Sequence, residues 1–172
     1  MYGSPEAHGI IKQLHLDDAL AVKGVVKILT NKDIPGKNQI GGIVKDEPLL
    51  ADGVVHFNGM PVAIVVAENA DAAHEAVKKI KIDIEPLPVV TLARVAQQNG
   101  ALIVPPRTFK IGDSQSAFAQ CKYIFEGIAE TNGQEHLYIE TQGAYAIPVE
   151  NGAIKIYSST QGPTAVQKHC AE

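Results

Sequence analysis

The stretch GQEHLYIETQGAYAIP, residues Gly133–Pro148, decides how the second half of this chain is organised. Its side chains alternate with period two, which predicts a strand with His136 and Glu140 on one face and Glu135 on the other. A strand that carries carboxylates on both faces is poorly suited to a plain hydrophobic core. The stretch is therefore either an edge strand or a strand that lines a site.

A hairpin continues this strand. Asn151-Gly152 predicts a tight turn, because both residues tolerate positive φ. The returning strand, residues 153–158, leads to Gln161, whose amide offers two donors and one acceptor beside Gly162, where a ligand can approach the backbone. An amide that caps the following helix, which begins at Pro163, is the common alternative.

Four polar residues of the first strand form a candidate cluster. His136 and Glu140 have the spacing of two metal ligands, but on a strand their side chains are about 13 Å apart. Because metal sites need three or four converging ligands, we predict no direct metal ligand here. A buried structural network that braces the fold is the favoured interpretation. Its predicted members are Gln134, Glu135, His136 and Glu140.

The first hundred residues alternate between strand and helix patterns. Their order, β-α-β followed by β-β-α-β-α, predicts an α+β or α/β layer domain without a nucleotide-binding fingerprint. Asp17 and Asn69 are the expected helix caps. The predicted strands of this part are residues 9–14, 25–29, 54–57, 62–67 and 80–85, and the predicted helices are residues 17–21, 70–79 and 91–98. Later in the chain we predict a helix over 114–121, a strand over 123–129 and a helix over 163–171.

Composition excludes several classes of protein. The chain has 172 residues, is 45% hydrophobic and has a net charge of −4, with charges of both signs scattered. Such a surface argues against a nucleic-acid partner. No apolar run approaches the length of a membrane span, and no signal peptide is visible. Cys121 and Cys170 form no CxxC pair, which favours reduced thiols in a cytoplasmic protein.

Several short motifs in this sequence, taken together and in their order along the chain, resemble those of one known family. The resemblance covers nearly the whole chain and is to the molybdenum-binding large subunit of xanthine dehydrogenases and aldehyde oxidases. The family forms are QEH-aromatic-YLE, STQ, SPHAHA and a GD…AF linker. The matching segments here are residues 134–140 (QEHLYIE), 159–161 (STQ), 4–8 (SPEAH) and 112–119 (GD followed by AFA).

The resemblance implies a fold, a division into domains and a set of cofactors. The expected fold is α+β: an α/β-hammerhead domain, residues 1–100, a linker with a short helix, residues 101–122, and an incomplete α/β segment of a molybdopterin-binding domain, residues 123–172. In the family, the glutamine that matches Gln161 hydrogen-bonds an oxygen ligand of the metal. Molybdenum-molybdopterin is the expected cofactor, with 2Fe-2S and FAD on other domains or subunits.

The resemblance also implies a function. The chain is expected to be a fragment of a molybdenum hydroxylase that oxidises purines or aldehydes with water-derived oxygen. It would supply scaffold and one edge of the molybdopterin site, contain no catalytic residue and be inactive alone. Expected partners are the rest of the molybdenum subunit, iron–sulfur and FAD domains or subunits, and a second copy in a homo-oligomer. Alternatives are a non-catalytic assembly module that packs against other subunits and a free-standing small-molecule binder.

Overall fold

The fold is described by a computed structural model of residues 1–137, 139 and 142–171. Its backbone divides into two compact units. The first unit contains residues 1–95 and the residues from Gly162 onward, and the second contains residues 96–161. Each unit is considered separately below.

The described residues form both strands and helices. The strands are β1 (Tyr2–Gly3), β2 (Gly9–His15), β3 (Val25–Leu29), β4 (Val54–Val55), β5 (Pro61–Ala67), β6 (Lys81–Pro86), β7 (Ala144–Pro148) and β8 (Ile154–Ser158). The α-helices are α1 (Asp17–Leu20), α2 (Ala70–Lys79), α3 (Ala93–Gln98), α4 (Ser114–Ala119) and α5 (Pro163–Ala171).

Two three-stranded sheets organise the first unit. One has the order β1-β5-β3 and the other the order β4-β2-β6, and every pair of neighbours in them is antiparallel. Helix α2 packs against β5 and against α1, which also contacts β3. Antiparallel sheets with helices packed on one side are an α+β arrangement.

Local sequence explains where α2 begins and which side it buries. The side chain of Asn69 accepts a hydrogen bond from the backbone N–H of Ala72 at 2.9 Å, so the predicted cap is confirmed. Ala72 and Ala76 are buried on the helix, and Ile80 is buried immediately after it. Their spacing of four residues places them on one face of the helix.

The core of the first unit consists of two clusters. The first lies between the two helices and β3 and β5, where Ala19, Ile28 and Ala63 meet Ala76 and Ile80. The second joins the two sheets and is centred on residues that flank or belong to β4 and β5. Its buried members are Ala51, Val55, Met60 and Val62, with Ile11, Leu14, Ile82 and Ile84 packed around them.

Some predicted boundaries of the first part are wrong. Asp17 does not cap α1, because Leu16 occupies the cap position and Asp17 lies in the first turn. The strand predicted over 54–57 contains only Val54–Val55. The helix predicted over 91–98 begins at Ala93. These differences fall at element ends, where local propensity is weakest and tertiary contacts decide.

The second unit contains few regular elements. Asp113 caps α4 by accepting a hydrogen bond from the backbone N–H of Ser116 at 3.2 Å. The strand predicted over 123–129 is absent, since these residues lie in no strand or helix. Of the strand predicted over 133–148, only Ala144–Pro148 forms within the described residues.

Burial differs sharply between the two units. None of the described residues from 96 to 161 is buried, and every buried apolar side chain among the described residues lies in the first unit. Phe109, Phe125 and Ile128 are 87%, 92% and 86% exposed. The second unit therefore has no hydrophobic core among the residues that the structure describes.

No helix within the described ranges combines the length and the apolar character that a membrane crossing requires.

Candidate functional site

The predicted site lies at the open end of the β7–β8 hairpin. The two strands pair antiparallel from Ala144 opposite Ser158 to Pro148 opposite Ile154. The connection contains Asn151 and Gly152 at φ of 62° and 72°, which confirms the predicted turn. The backbone N–H of Val149 donates to the Ala153 carbonyl at 2.8 Å and closes this connection before β8 begins at Ile154.

The two faces of the hairpin differ in chemistry. On one face Tyr145 lies directly opposite Tyr157, and the Lys155 ammonium sits 4.9 Å from the centre of the Tyr157 ring. This distance is within the range of a cation–π contact. On the other face Ala146 lies opposite Ile156 and Pro148 lies opposite Ile154, and Ser158 is its polar residue, opposite Ala144.

Ser159 extends the pairing beyond the last ladder residues. Its backbone N–H donates to the Gly143 carbonyl at 3.0 Å, and its hydroxyl accepts from the Gly143 N–H at 2.8 Å. The hydroxyl also donates to that carbonyl at 3.2 Å. Ser159 is thus a strand-end hydroxyl that positions the segment that carries Gln161.

Gln161 lies between the end of β8 and the beginning of α5. Its side chain is exposed and makes no hydrogen bond with any residue of the described ranges. Gly162, which follows it, is half-buried, and Pro163 begins the helix. The amide is therefore available to an external ligand, and its two N–H groups are the donors that it can offer. Binding of a cofactor by Gln161 stays a prediction.

The residues of the predicted polar network differ from the prediction in secondary structure and in burial. Gln134, Glu135 and His136 are exposed and lie in irregular chain, so the strand and the burial assigned to them are wrong. Glu135 accepts a hydrogen bond from the backbone N–H of His136 at 3.1 Å, a purely local contact. Glu140 lies outside the described residues, so the network as a whole stays a prediction.

The polar groups at the end of the hairpin suit hydrogen bonding to a cofactor rather than direct coordination of a metal ion. Among the described residues, no group of three or more His, Cys, Asp or Glu side chains converges in a way that would hold a metal ion. Gln161 offers neutral N–H donors, which suit an oxygen acceptor on a bound molecule and are poor ligands for a metal. The residues present therefore fit an outer contact to a cofactor.

The sequence matches two described protein domains. Residues 1–88 match the a/b hammerhead domain of aldehyde oxidase and xanthine dehydrogenase. The chain belongs to the aldehyde oxidase and xanthine dehydrogenase family. Residues 95–172 match a molybdopterin cofactor-binding domain, and this part contains the hairpin and Gln161.

Curated relatives cover almost the whole chain. Xanthine dehydrogenase of Emericella nidulans is 36% identical over an alignment that covers 98% of this chain and 13% of that protein. Xanthine dehydrogenase/oxidase of Gallus gallus is 35% identical over 98% of this chain and 12% of its own length. Aldehyde oxidase 2 of Rattus norvegicus is 38% identical over 96% of this chain and 12% of its own length.

Solved structures of family members share the fold. The aldehyde oxidoreductase of Desulfovibrio gigas superposes with a TM-score of 0.80 at 30% identity, over 92% of this chain and 19% of that one. Quinoline 2-oxidoreductase of Pseudomonas putida 86 superposes with a TM-score of 0.81 at 26% identity, over 98% of this chain and 24% of that one.

The comparisons confirm three of the expectations. The family, the α+β fold of a hammerhead domain followed by part of a molybdopterin-binding domain, and molybdopterin as the cofactor of that domain all agree with them. The chain nevertheless spans only 12% to 13% of the length of the three curated relatives described above.

Sequence reasoning missed one feature of the site, which is the pairing of Ser159 with Gly143. The signal that was available is a serine at the end of a strand, since Ser side chains commonly bond to nearby backbone groups. The partner lies sixteen residues earlier, so only the hairpin register identifies it.

Proposed function

We propose that this chain supplies scaffold and one edge of the molybdopterin site in a molybdenum hydroxylase. That enzyme would oxidise purines or aldehydes by hydroxylation with water-derived oxygen. The observation that carries the proposal is Gln161, an exposed amide at the open end of a hairpin within the part that matches a molybdopterin cofactor-binding domain. When bound, the molybdenum cofactor supplies the oxidation chemistry that amino-acid side chains lack.

In this proposal, the chain's own contribution is to hold Gln161 in place and to orient its amide toward the cofactor. The β7–β8 ladder and the bonds between Ser159 and Gly143 position the segment that leads to Gln161. From there Gln161 donates a hydrogen bond to an oxygen acceptor of the cofactor. A preorganised neutral donor stabilises negative charge at that acceptor without competing for the metal. No catalytic residue is assigned within the chain, and we expect the isolated chain to be inactive.

The remaining expectations belong to the same proposal. The predicted domains, residues 1–100, 101–122 and 123–172, would be completed by the rest of the molybdenum subunit and by iron–sulfur and FAD domains or subunits in a homo-oligomer. The proposed compartment is the cytoplasm, where the exposed thiols of Cys121 and Cys170 would remain reduced.

A non-catalytic assembly module is the second candidate function. It is favoured by the absence of buried residues among those described between 96 and 161. A segment with so many exposed apolar side chains gains its stability by packing against other polypeptide. In this alternative Gln161 has no role in oxidation, and the chain contributes only contacts between subunits.

Co-expression with the rest of the molybdenum subunit and its iron–sulfur and FAD partners tests the proposal. Xanthine and benzaldehyde oxidation are measured with the wild-type chain, with Gln161→Ala and with Gln167→Ala as the matched control on the exposed part of α5. Removing one donor to a developing charge lowers kcat by about 100-fold or more. We expect that loss for Gln161→Ala alone, at equal yield of assembled complex.

The same preparations separate the two candidate functions. Molybdenum content and complex yield are measured beside kcat. If Gln161→Ala retains full kcat and full molybdenum content in a complex that needs the chain to assemble, the assembly module is correct and the role of Gln161 is refuted. If the isolated chain oxidises either substrate, the expectation of inactivity is wrong.

A further inference from the structure

Two histidines of the first unit face each other just outside the paired strands β2 and β4. Gly9 pairs with Val55 in the antiparallel ladder, so His8 and His56 are the next pair along it. Their ring centres are 6.0 Å apart, and the ring planes are inclined by 26°. Two imidazoles that share one metal ion have ring centres about 4.5–6.5 Å apart, because each metal–nitrogen bond is about 2.0–2.1 Å long. The pair therefore has the separation of two ligands of one ion.

A hydrogen bond fixes the tautomer of His8. Its Nδ1 lies 2.9 Å from the Pro88 carbonyl oxygen. A carbonyl can only accept, so the Nδ1–H donates and the neutral ring carries its lone pair on Nε2. Metal-bound histidines are commonly held in this way, with one ring nitrogen donating to a backbone carbonyl or a carboxylate and the other binding the ion. The bond to Pro88 therefore leaves Nε2 as the ligand atom of His8.

The imidazole of His56 can turn toward the ring of His8. Its side chain is exposed and makes no hydrogen bond or ion pair with the residues that the structure describes. The backbone of His56 is fixed, because its N–H donates to the sulfur of buried Met60 at 3.4 Å. A rotation of this one ring therefore brings a second nitrogen to the ion without a change in the backbone.

The two chain segments that carry the histidines are already held in place by backbone hydrogen bonds. The Ser4 N–H donates to the Met60 carbonyl at 2.9 Å, and the Gly59 N–H donates to the Ser4 carbonyl at 2.8 Å. On the other side, the Leu87 N–H donates to the His8 carbonyl at 3.0 Å. Because the ligands are preorganised, binding of an ion costs little additional ordering.

We propose that His8 and His56 chelate one divalent transition-metal ion of the class that prefers imidazole, which includes Zn²⁺, Ni²⁺ and Cu²⁺. One nitrogen of each ring binds the ion. Water fills the remaining positions, since no group of three or more His, Cys, Asp or Glu converges among the described residues. The site belongs to the part that matches the hammerhead domain and involves neither Gln161 nor molybdopterin, so it goes beyond the proposed function.

Zinc binding by the 172-residue chain tests the proposal. Every variant also carries Cys121→Ser and Cys170→Ser, because exposed thiols bind Zn²⁺ as well. Calorimetric titration measures the Kd, and thermal unfolding with and without Zn²⁺ measures the shift of the midpoint. We expect one tightly bound ion per chain and a higher midpoint with Zn²⁺, since a ligand that binds only the folded state stabilises it. Mg²⁺, which prefers oxygen ligands, should have neither effect.

Two substitutions each remove one ligand. His8→Asn keeps an N–H that can donate to the Pro88 carbonyl but lacks Nε2, so the midpoint measured without Zn²⁺ should stay close to that of the parent chain. His56→Gln removes the other imidazole, which has no hydrogen bond to lose. Each should weaken Zn²⁺ binding by about tenfold or more, because the second ligand of a chelating pair binds at a high effective concentration. His74→Gln, at an exposed histidine of α2, should leave the Kd within about twofold.

Electron paramagnetic resonance with Cu²⁺ gives an independent readout. Cu²⁺ binds nitrogen ligands more tightly than Zn²⁺ does, and its spectrum should show two imidazole nitrogens in the parent chain and one in His8→Asn or His56→Gln.

Three results would overturn the proposal. They are a midpoint that Zn²⁺ does not raise, a Zn²⁺-dependent rise that persists in both His8→Asn and His56→Gln, and a loss of that rise in His74→Gln. None of them bears on the effect of Gln161→Ala on kcat, so failure of the two-histidine site is distinguishable from failure of the proposed function.

Discussion

The side-chain amide of Asn38 exchanges two hydrogen bonds with the backbone of Leu50. Its Nδ2 donates to the Leu50 carbonyl at 2.7 Å, and its Oδ1 accepts from the Leu50 N–H at 2.9 Å. Leu50 is 2% exposed, so water cannot readily replace either bond. One side chain thereby ties together two parts of the chain that are twelve positions apart.

Replacing Asn38 with Ala should destabilise the first unit. The substitution leaves the N–H and the carbonyl of buried Leu50 without partners, and unsatisfied buried groups cost about 1–3 kcal/mol each. We expect the free energy of unfolding, measured with urea, to fall by an amount in that range. Asn58→Ala, which removes a single exposed bond to the Pro5 carbonyl, should cost less. An unchanged urea midpoint for Asn38→Ala would contradict the prediction that its two hydrogen bonds to Leu50 stabilise the first unit.

Gly9 should tolerate no side chain, because β2 and β6 approach closely at this residue. A Cβ at Gly9 would lie 2.7 Å from the Glu85 carbonyl oxygen, which belongs to backbone and cannot move aside alone. We expect Gly9→Ala to lower the thermal unfolding midpoint, with a cost of about 1–3 kcal/mol for the forced separation. Gly42→Ala is the control, since a Cβ there meets nothing within 4 Å. Equal midpoints for the two variants would refute the prediction.

Asp33 should make stability depend on acid pH. The Lys27 ammonium, 2.9 Å from its carboxylate, and the Thr30 N–H, also at 2.9 Å, hold the pKa of Asp33 below its usual 3.8. Because the folded-state pKa lies below the unfolded value, the carboxylate stabilises the fold above the unfolded pKa. That contribution is lost as the pH falls through the folded-state pKa.

Unfolding of the wild type and of Asp33→Asn between pH 7 and pH 2 measures this dependence. The difference in unfolding free energy should be largest and constant above about pH 5 and should shrink on acidification. Asp71→Asn, at an exposed carboxylate in the first turn of α2, is the control for removal of a charge. A difference for Asp33→Asn that stays constant down to pH 2 would mean that the folded state does not perturb this carboxyl.

Local sequence patterns predicted those elements that are stabilised by contacts between residues close together along the chain. The cap of α2 depends on Asn69 and a residue three positions away, and the hairpin turn depends on the positive φ that Asn151 and Gly152 tolerate. Both predictions are confirmed because their chemistry is contained in a few consecutive residues. The motifs around residues 134–140 and 159–161 likewise identified the family, which the comparisons confirm.

The strand predicted over 123–129, and most of the one over 133–148, show where such reasoning stops. A period-two pattern states which side chains would share a face, but a strand forms its hydrogen bonds with a neighbouring strand and not within itself. Among the described residues, only Ala144–Pro148 has such a neighbour, which is β8. The burial predicted for Gln134, Glu135 and His136 failed for the same reason, because a face is buried only when another layer covers it.

The sequence by itself determined the family, the α+β class, the cofactor of the second domain and the helices with strong caps, because motifs and caps are properties of adjacent residues. Only the tertiary structure decided which strands of the first unit pair, that Ser159 bonds to Gly143, and that Asn38 bonds to Leu50. These contacts join residues that are twelve or more positions apart. Their formation depends on the path of the whole chain, which no local pattern encodes.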